Sequence, residues 1–109
     1  MSLGESDIAF AAALFSDIPN LTTRKMFGGL GLYSDGVIFA LMRSDGQLLL
    51  KAQPGAFEDR LAEMGAAKWT YTRKNGAVSS MPYWTLPEDA LDDPALANEL
   101  AGAAINALR

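Results

Sequence analysis

The 109-residue chain contains no cysteine and no histidine. Without cysteine it can form no disulfide, no thiolate metal site and no cysteine nucleophile. Without histidine it lacks the most common general base and transition-metal ligand, which excludes hydrolases of the Ser-His and Cys-His classes. We therefore expect a protein that is not an enzyme and that needs no cofactor.

Positive charge and long hydrophobic runs are also scarce. No apolar run approaches the ~20 residues that a membrane-spanning helix needs, and residues 1–5 lack the basic and apolar regions of a signal peptide. The 9 Lys and Arg residues stand against 13 Asp and Glu residues, a formal net charge of −4, whereas dedicated nucleic-acid binders usually carry a positive balance. These features predict a cytoplasmic protein without a membrane partner, and they disfavour DNA as the main partner without excluding it.

Two Asp-Gly pairs, Asp35-Gly36 and Asp45-Gly46, separate three segments that are rich in apolar and β-forming residues. Glycine accepts the positive φ that tight hairpin turns require, so this pattern predicts an antiparallel meander. The three predicted strands cover residues 25–33, 37–43 and 47–52.

A second hairpin follows, with predicted strands over residues 68–73 and 77–86. Pro82 lies inside its second strand, and because proline cannot donate a ladder hydrogen bond, it predicts an edge position or a bulge there. Trp69, Tyr71 and Arg73 alternate along the first strand and are expected on one face.

Helices precede, separate and follow these strands. The first is predicted to begin at a cap formed by Ser6 or Asp7 and to end at Ile18. The second is predicted over Pro54–Met64 with Gly65 after its end, and the third begins at Asp93-Pro94. The order α-βββ-α-ββ-α predicts one α+β domain, residues 1–109, with helices packed on an antiparallel sheet. Residues 1–5 are expected to be poorly ordered.

The segment RKMFGGLGLY is the most distinctive motif in the chain. Further elements follow in order: LLLK at residues 48–51, MPYW at residues 81–84 and LPEDAL at residues 86–91. Together they resemble the TfoX/Sxy N-terminal domain family over about residues 10–109. The motif residues that carry the resemblance are Arg24, Lys25, Met26, Phe27, Gly28, Gly29, Gly31 and Tyr33.

The resemblance implies a regulator similar to those of natural competence (DNA transformation) in bacteria, which act in transcriptional activation together with the cyclic-AMP receptor protein. It also implies an α+β fold similar to that of secretion chaperones, which often pair as dimers. The longer competence regulators add a helix-rich C-terminal domain, so we expect these residues to be a stand-alone N-terminal domain. We predict a homodimeric regulatory domain that contacts a protein partner, with a partner role for Arg24 and Lys25 and a mostly structural role for the other motif residues.

The glycines at positions 28, 29 and 31 permit two interpretations. A phosphate-binding loop places its glycines between a strand and the N-terminus of a helix, but these glycines lead into a hairpin. We favour a bulge or bend that lets a helix or a second chain approach the backbone closely.

The basic residues also permit two interpretations. They could form one patch, interleaved with aromatic side chains, that contacts phosphate groups of DNA. They could equally be solvated residues at strand edges, where lysine discourages aggregation. The six cations concerned are Arg24, Lys25, Lys51, Lys68, Arg73 and Lys74.

Four large side chains, Trp69, Met81, Tyr83 and Trp84, could line a groove between sheet and helices that binds a small molecule or a partner. They could instead fill the core. Because neighbours on a strand point to opposite faces, we expect one of Tyr83 and Trp84 to be the more exposed. That residue, together with the predicted edge strand around Pro82, is the predicted partner surface.

Overall fold

The computed structural model of the protein describes residues 4–26, 28–72 and 74–108, with only the backbone of Tyr71 and Ser80. Its elements are α1 (Glu5–Leu14), β1 (Leu21–Met26), β2 (Gly29–Ser34), β3 (Val37–Met42), β4 (Leu48–Lys51), α2 (Ala56–Glu63), β5 (Lys68–Thr72), β6 (Val78–Thr85), α3 (Glu88–Leu91) and α4 (Pro94–Ala107). The six strands form one antiparallel sheet in the order β1-β2-β3-β4-β6-β5. This architecture confirms the predicted α+β class. Among the described residues, no helix has the length and apolar character that crossing a membrane requires.

The helices cover one face of the sheet, which we call the helix face. Leu30 lies opposite Met42, and Ala40 lies opposite Leu50, so these residues share that face. Phe39 packs edge-on against Phe15, beyond the end of α1, with the ring centroids 5.6 Å apart. The buried strand residues of the helix face are Leu30, Leu32, Phe39, Ala40, Met42, Leu48 and Leu50. The buried residues of α4 that complete the core are Ala97, Leu100, Ala101 and Ile105.

The observed element order differs from the predicted one between residues 21 and 34. The segment predicted as one strand, residues 25–33, is divided between β1 and β2, which pair antiparallel with Met26 opposite Gly29. Gly28 has φ +77°, in the left-handed region that favours glycine, so this residue allows the chain to reverse here. The short helix α3 adds one further element to the predicted order.

The predicted close approach to the glycine backbone exists, but it comes from within the chain. A Cβ on Gly29 would lie 2.5 Å from the carbonyl oxygen of Met42. The neighbouring strand β3 therefore occupies the space that the sequence predicted for a helix or a second chain.

The predicted end of the first helix at Ile18 is wrong, because α1 ends at Leu14 and a short turn follows it. Other local signals at turns and helix ends are confirmed. Asp35 and Gly36 have φ of 51° and 80°, as a two-residue hairpin turn requires. Gly65 follows α2 with φ 85°. The side chain of Asp93 accepts a hydrogen bond from the backbone N–H of Leu96 and caps α4.

The start of α1 was predicted two or three residues too late. The helix begins at Glu5 after Gly4, and the N–H of Gly4 donates to the carboxylate of Asp7 at 3.0 Å. Asp7 thus binds the residue before the helix from inside the first turn, instead of being the cap itself. The prediction for the first five residues falls partly on residues 1–3, which lie outside the described residues.

The predicted edge position of Pro82 is wrong, and the predicted alternative, a bulge, is confirmed. Strand β6 lies between β4 and β5. Its pairing with β5 passes from Lys68 opposite Trp84 to Thr70 opposite Ser80, so β6 carries two extra residues over this stretch. A proline inside such an irregularity costs no ladder hydrogen bond, while its carbonyl oxygen accepts from the N–H of Ala52 at 2.9 Å.

Candidate functional site

The face of the sheet away from the helices carries a second set of apolar side chains, and we call it the open face. Gly31 lies opposite Leu41, and Leu41 lies opposite Leu49. These positions alternate with those of the helix face, so they point to the other side of the sheet. The larger side chains of the open face are Met26, Tyr33, Ile38, Leu41, Leu49, Trp69, Met81 and Tyr83.

A groove of about 470 Å³ lies on the open face, within the size range of ligand pockets. Met26 belongs to β1 and Trp69 to β5, which are the two edge strands of the sheet. Since neighbouring strands lie about 4.8 Å apart, six strands in a flat sheet would separate these edges by ~24 Å. The shared groove therefore indicates that the sheet curls, and irregular pairings such as those at Leu32/Tyr33 and along β6 favour curvature of this kind. The residues lining the groove are Met26, Gly29, Leu30, Ile38, Leu41, Met42, Arg43, Ser44, Trp69, Met81 and Tyr83.

Gly31 allows Met26 and Tyr33 to meet above the sheet. A Cβ on Gly31 would lie 2.9 Å from Cε of Met26 and 3.0 Å from Cε1 of Tyr33. The two side chains therefore fill the space that a larger residue at position 31 would take. Three residues of the family motif thus build one end of the open face. Phe27, another motif residue, lies outside the described residues.

Tyr83 lies in the open face with only 8% of the residue exposed. Burial raises the pKa of its phenol above the usual 10.0, and the nearby Tyr33 raises it further. The phenol is therefore neutral at physiological pH, and its hydroxyl can donate a hydrogen bond.

Arg43 follows β3 and lines the groove, and no role was predicted for it. Its guanidinium carbon lies 5.4 Å from the centre of the Trp69 ring, a cation–π distance. A guanidinium nitrogen also lies 3.5 Å from a carboxylate oxygen of Asp45 in the β3–β4 loop. Nothing local in the sequence indicated this residue, because Trp69 is far from it along the chain.

The predicted cations divide between the two faces. Arg24 lies opposite Gly31 and Lys51 opposite Tyr83, which places both on the open face. Lys25 lies opposite Leu30, on the side of the helices.

The remaining predicted cations do not join Arg24 and Lys51. The ammonium of Lys68 lies 3.1 Å from the carboxylate of Glu58 on α2, and Lys74 lies in the turn between β5 and β6. The described members of the predicted basic patch thus do not form one surface. Arg73 lies outside the described residues, as does the side chain of Tyr71.

Trp84 points to the helix face, so the predicted opposite orientation of Tyr83 and Trp84 is confirmed. Trp84 is the more exposed of the two, so the aromatic residue predicted for the partner surface does not lie on the open face. The Nε1–H of Trp84 donates to Oε2 of Glu58 at 3.0 Å. This hydrogen bond, and then that from Lys68, hold the pKa of Glu58 below its usual 4.5. The predicted groove between sheet and helices is corrected as well: Trp69, Met81 and Tyr83 line a groove, but on the open face and without Trp84.

Charge is segregated between the two layers of the molecule. Every acidic residue except Asp35 and Asp45 lies in a helix or in a loop beside the helices. Among the cations that the structure describes, Arg60 alone lies in a helix. The net charge of −4 is therefore distributed unevenly: the sheet layer is basic and the helix layer is acidic. Within the described residues, acidic side chains form no group of three or more that could hold a metal ion.

Comparison with known proteins identifies a family that matches nearly the whole chain and not the motif alone. The family model of the TfoX N-terminal domain matches residues 13–108. A comparison with curated proteins found no match. The matched segment begins in α1, ends just after α4 and includes every residue of the open face. The chain therefore belongs to the TfoX N-terminal domain family.

Proposed function

We propose that this chain is a non-enzymatic regulatory domain that acts by protein–protein contact through the open face of its sheet. Membership of the TfoX N-terminal domain family supports a regulatory, competence-related role. The observation that carries the contact proposal is the apolar character of a face that the helices do not cover. Large apolar patches rimmed by polar residues on a protein surface are typical of interaction sites.

The composition of the open face suits protein contact. Met26 and Met81 contribute flexible thioether side chains, which adapt to different apolar partners. Strand β1 is an edge strand, and its residues Thr22–Lys25 are exposed. A partner on the open face would therefore also meet an accessible strand edge.

Two partners follow from the family resemblance: a second copy of this chain, and a transcription activator of the cyclic-AMP receptor protein type. We propose that either contact takes place in the cytoplasm. Light scattering of the purified chain tests the homodimer directly.

The experiment compares two variants on strand β6 in a strain that lacks the gene. Met81→Glu places a charge in the groove, whereas Val78→Glu places the same charge at a position that is 70% exposed. We expect Met81→Glu to abolish regulation of the transcripts that depend on the protein and Val78→Glu to preserve it. A Met81→Glu protein that folds normally, judged by circular dichroism, and restores every transcript would overturn the proposal.

A second readout does not depend on the folding of a groove variant. Thr22 lies opposite Tyr33 and faces the open side, while Thr23 lies opposite Leu32 and faces the helix side. Both are exposed. A photo-crosslinking residue at position 22 should capture a protein partner in cells, and one at position 23 should capture much less. Equal or absent capture at the two positions would contradict contact through the open face.

The size of the groove also favours a second function, binding of a small molecule. A volume of about 470 Å³ with Tyr83 and Arg43 as polar groups matches a mostly apolar pocket with few polar contacts. A ligand should raise the Tm in a metabolite panel and alter the fluorescence of Trp69 in a Trp84→Phe variant. A native mass spectrum of the bare chain only, with no Tm shift from any compound, would contradict this function.

A further inference from the structure

We infer that the partner of the open face presents an acidic amphipathic segment, in which large apolar side chains alternate with Asp or Glu. The inference rests on the proposed function and specifies the chemistry of the partner. It follows from three features of the open face: its floor, its rim and the charge of the rest of the molecule.

Among the side chains that the structure describes, the floor of the groove is apolar and offers little aromatic surface for stacking. Leu41 and the two methionines, Met26 and Met81, contribute aliphatic or thioether groups. Tyr83 is almost fully buried, and one side of the Trp69 ring is occupied by Arg43. Proteins that bind single-stranded nucleic acid stack bases on accessible aromatic rings, so this floor is better suited to apolar side chains of a protein.

The rim of the open face is positive. Arg24 lies on β1, Lys51 on β4 and Arg43 after β3, so cations border the open face on several strands. The nitrogen–oxygen distance of 3.5 Å between Arg43 and Asp45 is longer than that of a charge-assisted hydrogen bond, about 2.8 Å. Arg43 can therefore accept a closer carboxylate from a partner.

The acidic helix layer directs an acidic partner toward this rim. Like charges repel such a partner from the helices, while opposite charges attract it to the sheet, which gives both orientation and a faster encounter. A segment of several residues can reach Arg24, Arg43 and Lys51 together, although they lie on different strands. Of the cations that the structure describes, Arg43 is the one that lines the groove, so a small ligand inside it would contact fewer of them than a segment of several residues would.

The test uses two labelled 12-residue peptides that differ only in charge. Both alternate Leu or Phe with a polar residue, which is Glu in one peptide and Gln in the other. Fluorescence anisotropy with the full chain should show the Glu peptide binding at least about tenfold more tightly at low salt, with the difference shrinking as salt screens the charges.

Neighbouring residues on β1 provide the matched control. Arg24→Glu and Lys25→Glu change the net charge equally, but Arg24 is on the open face and Lys25 on the helix side. Arg24→Glu should weaken binding of the Glu peptide by about three- to tenfold, and Lys25→Glu by less than about twofold. Arg43→Glu should act like Arg24→Glu.

Several outcomes would overturn the inference. These are equal affinities of the two peptides, equal effects of the two β1 variants, or no binding at ~1 mM peptide. Labelled duplex DNA that binds with a steep salt dependence and displaces the peptide would assign the face to nucleic acid. A dimer that excludes the Glu peptide and that Met81→Glu dissociates would assign it to a second copy. Crosslinking from position 22 tests the proposed function independently, because it detects a protein partner at the open face whatever the charge of that partner.

Discussion

At the scale of single residues, the glycines of the motif serve different purposes. Gly28 supplies a positive φ between β1 and β2. Gly29 admits the backbone of β3, and Gly31 admits two side chains of the open face. The tolerance of each position to a methyl group should differ accordingly, because backbone moves less readily than the end of a side chain.

Gly29→Ala should lower the free energy of unfolding by about 1–3 kcal/mol, as overpacking does in a dense interior. The added Cβ would meet the carbonyl oxygen of Met42 at 2.5 Å, so the backbone must shift. Urea unfolding followed by circular dichroism measures the change. Gly102→Ala is the control: it lies in α4 with open space around its Cβ, and it should raise stability by about 0.5–1 kcal/mol. Equal effects at the two positions would refute this account of Gly29.

At the scale of elements, helix α2 depends on its attachment to the sheet. With eight residues, it is shorter than helices that are stable alone in water. One carboxylate oxygen of Glu58 accepts from both Trp84 of β6 and Lys68 of β5. Two adjacent strands thereby hold the same residue of the helix.

Glu58→Gln should lower the Tm at neutral pH. Because the pKa of Glu58 is lowered in the folded protein, its contribution is complete above the usual pKa of 4.5 and is lost as the pH falls through the folded value. The difference in Tm between Glu58→Gln and the wild type should therefore narrow in acid. Differential scanning fluorimetry from pH 7 to about pH 3 measures it. Glu63→Gln, on the exposed side of the same helix, should change little at any pH, and a Tm difference for Glu58→Gln that is constant with pH would contradict the prediction.

At the scale of the whole molecule, the dominant feature is the separation of a basic sheet layer from an acidic helix layer. The chain has two tryptophans, and they report on different layers. Trp69 lies beside Arg43 at the groove, and Trp84 donates to Glu58 beneath the helices.

Iodide should therefore quench Trp69 more effectively than Trp84, relative to uncharged acrylamide. The variants Trp84→Phe and Trp69→Phe isolate the two signals. We expect the iodide-to-acrylamide ratio of Stern–Volmer constants to be about twofold higher for Trp69 at low ionic strength and to converge in high salt. Equal ratios at low salt would show that the charge separation does not change the access of iodide to the two tryptophans.

The parts of the fold that the sequence predicted correctly are those with local causes. The turn at Asp35-Gly36 and the helix start at Asp93-Pro94 depend on the conformational preferences of adjacent residues. The division of residues 25–33 into two strands was missed, because it depends on which partner each half finds. The bulge at Pro82 was predicted only as one alternative for the same reason.

The sequence predicted several residues of the candidate site but not the face of the sheet on which they lie. Trp69, Met81 and Tyr83 were expected to line a groove, and Met26 and Tyr33 were expected to be mostly structural, but the open face itself was not predicted. A signal for it existed: β3 and the residues Leu48–Leu50 are apolar at every position, which is typical of strands covered on both faces. Curling of the sheet and the approach of Arg43 to Trp69 depend on contacts distant in sequence, and no local pattern predicts them.

The shared groove has a consequence for the edge strands that bound the sheet. In a flat sheet, β1 and β5 would fray independently of one another, because each has a neighbour on one side only. Here an occupant of the groove touches Met26 and Trp69 together. Hydrogen exchange of the backbone amides in β1 and β5 should then slow in concert on binding, so that the two strands most distant in the pairing order behave as one cooperative unit.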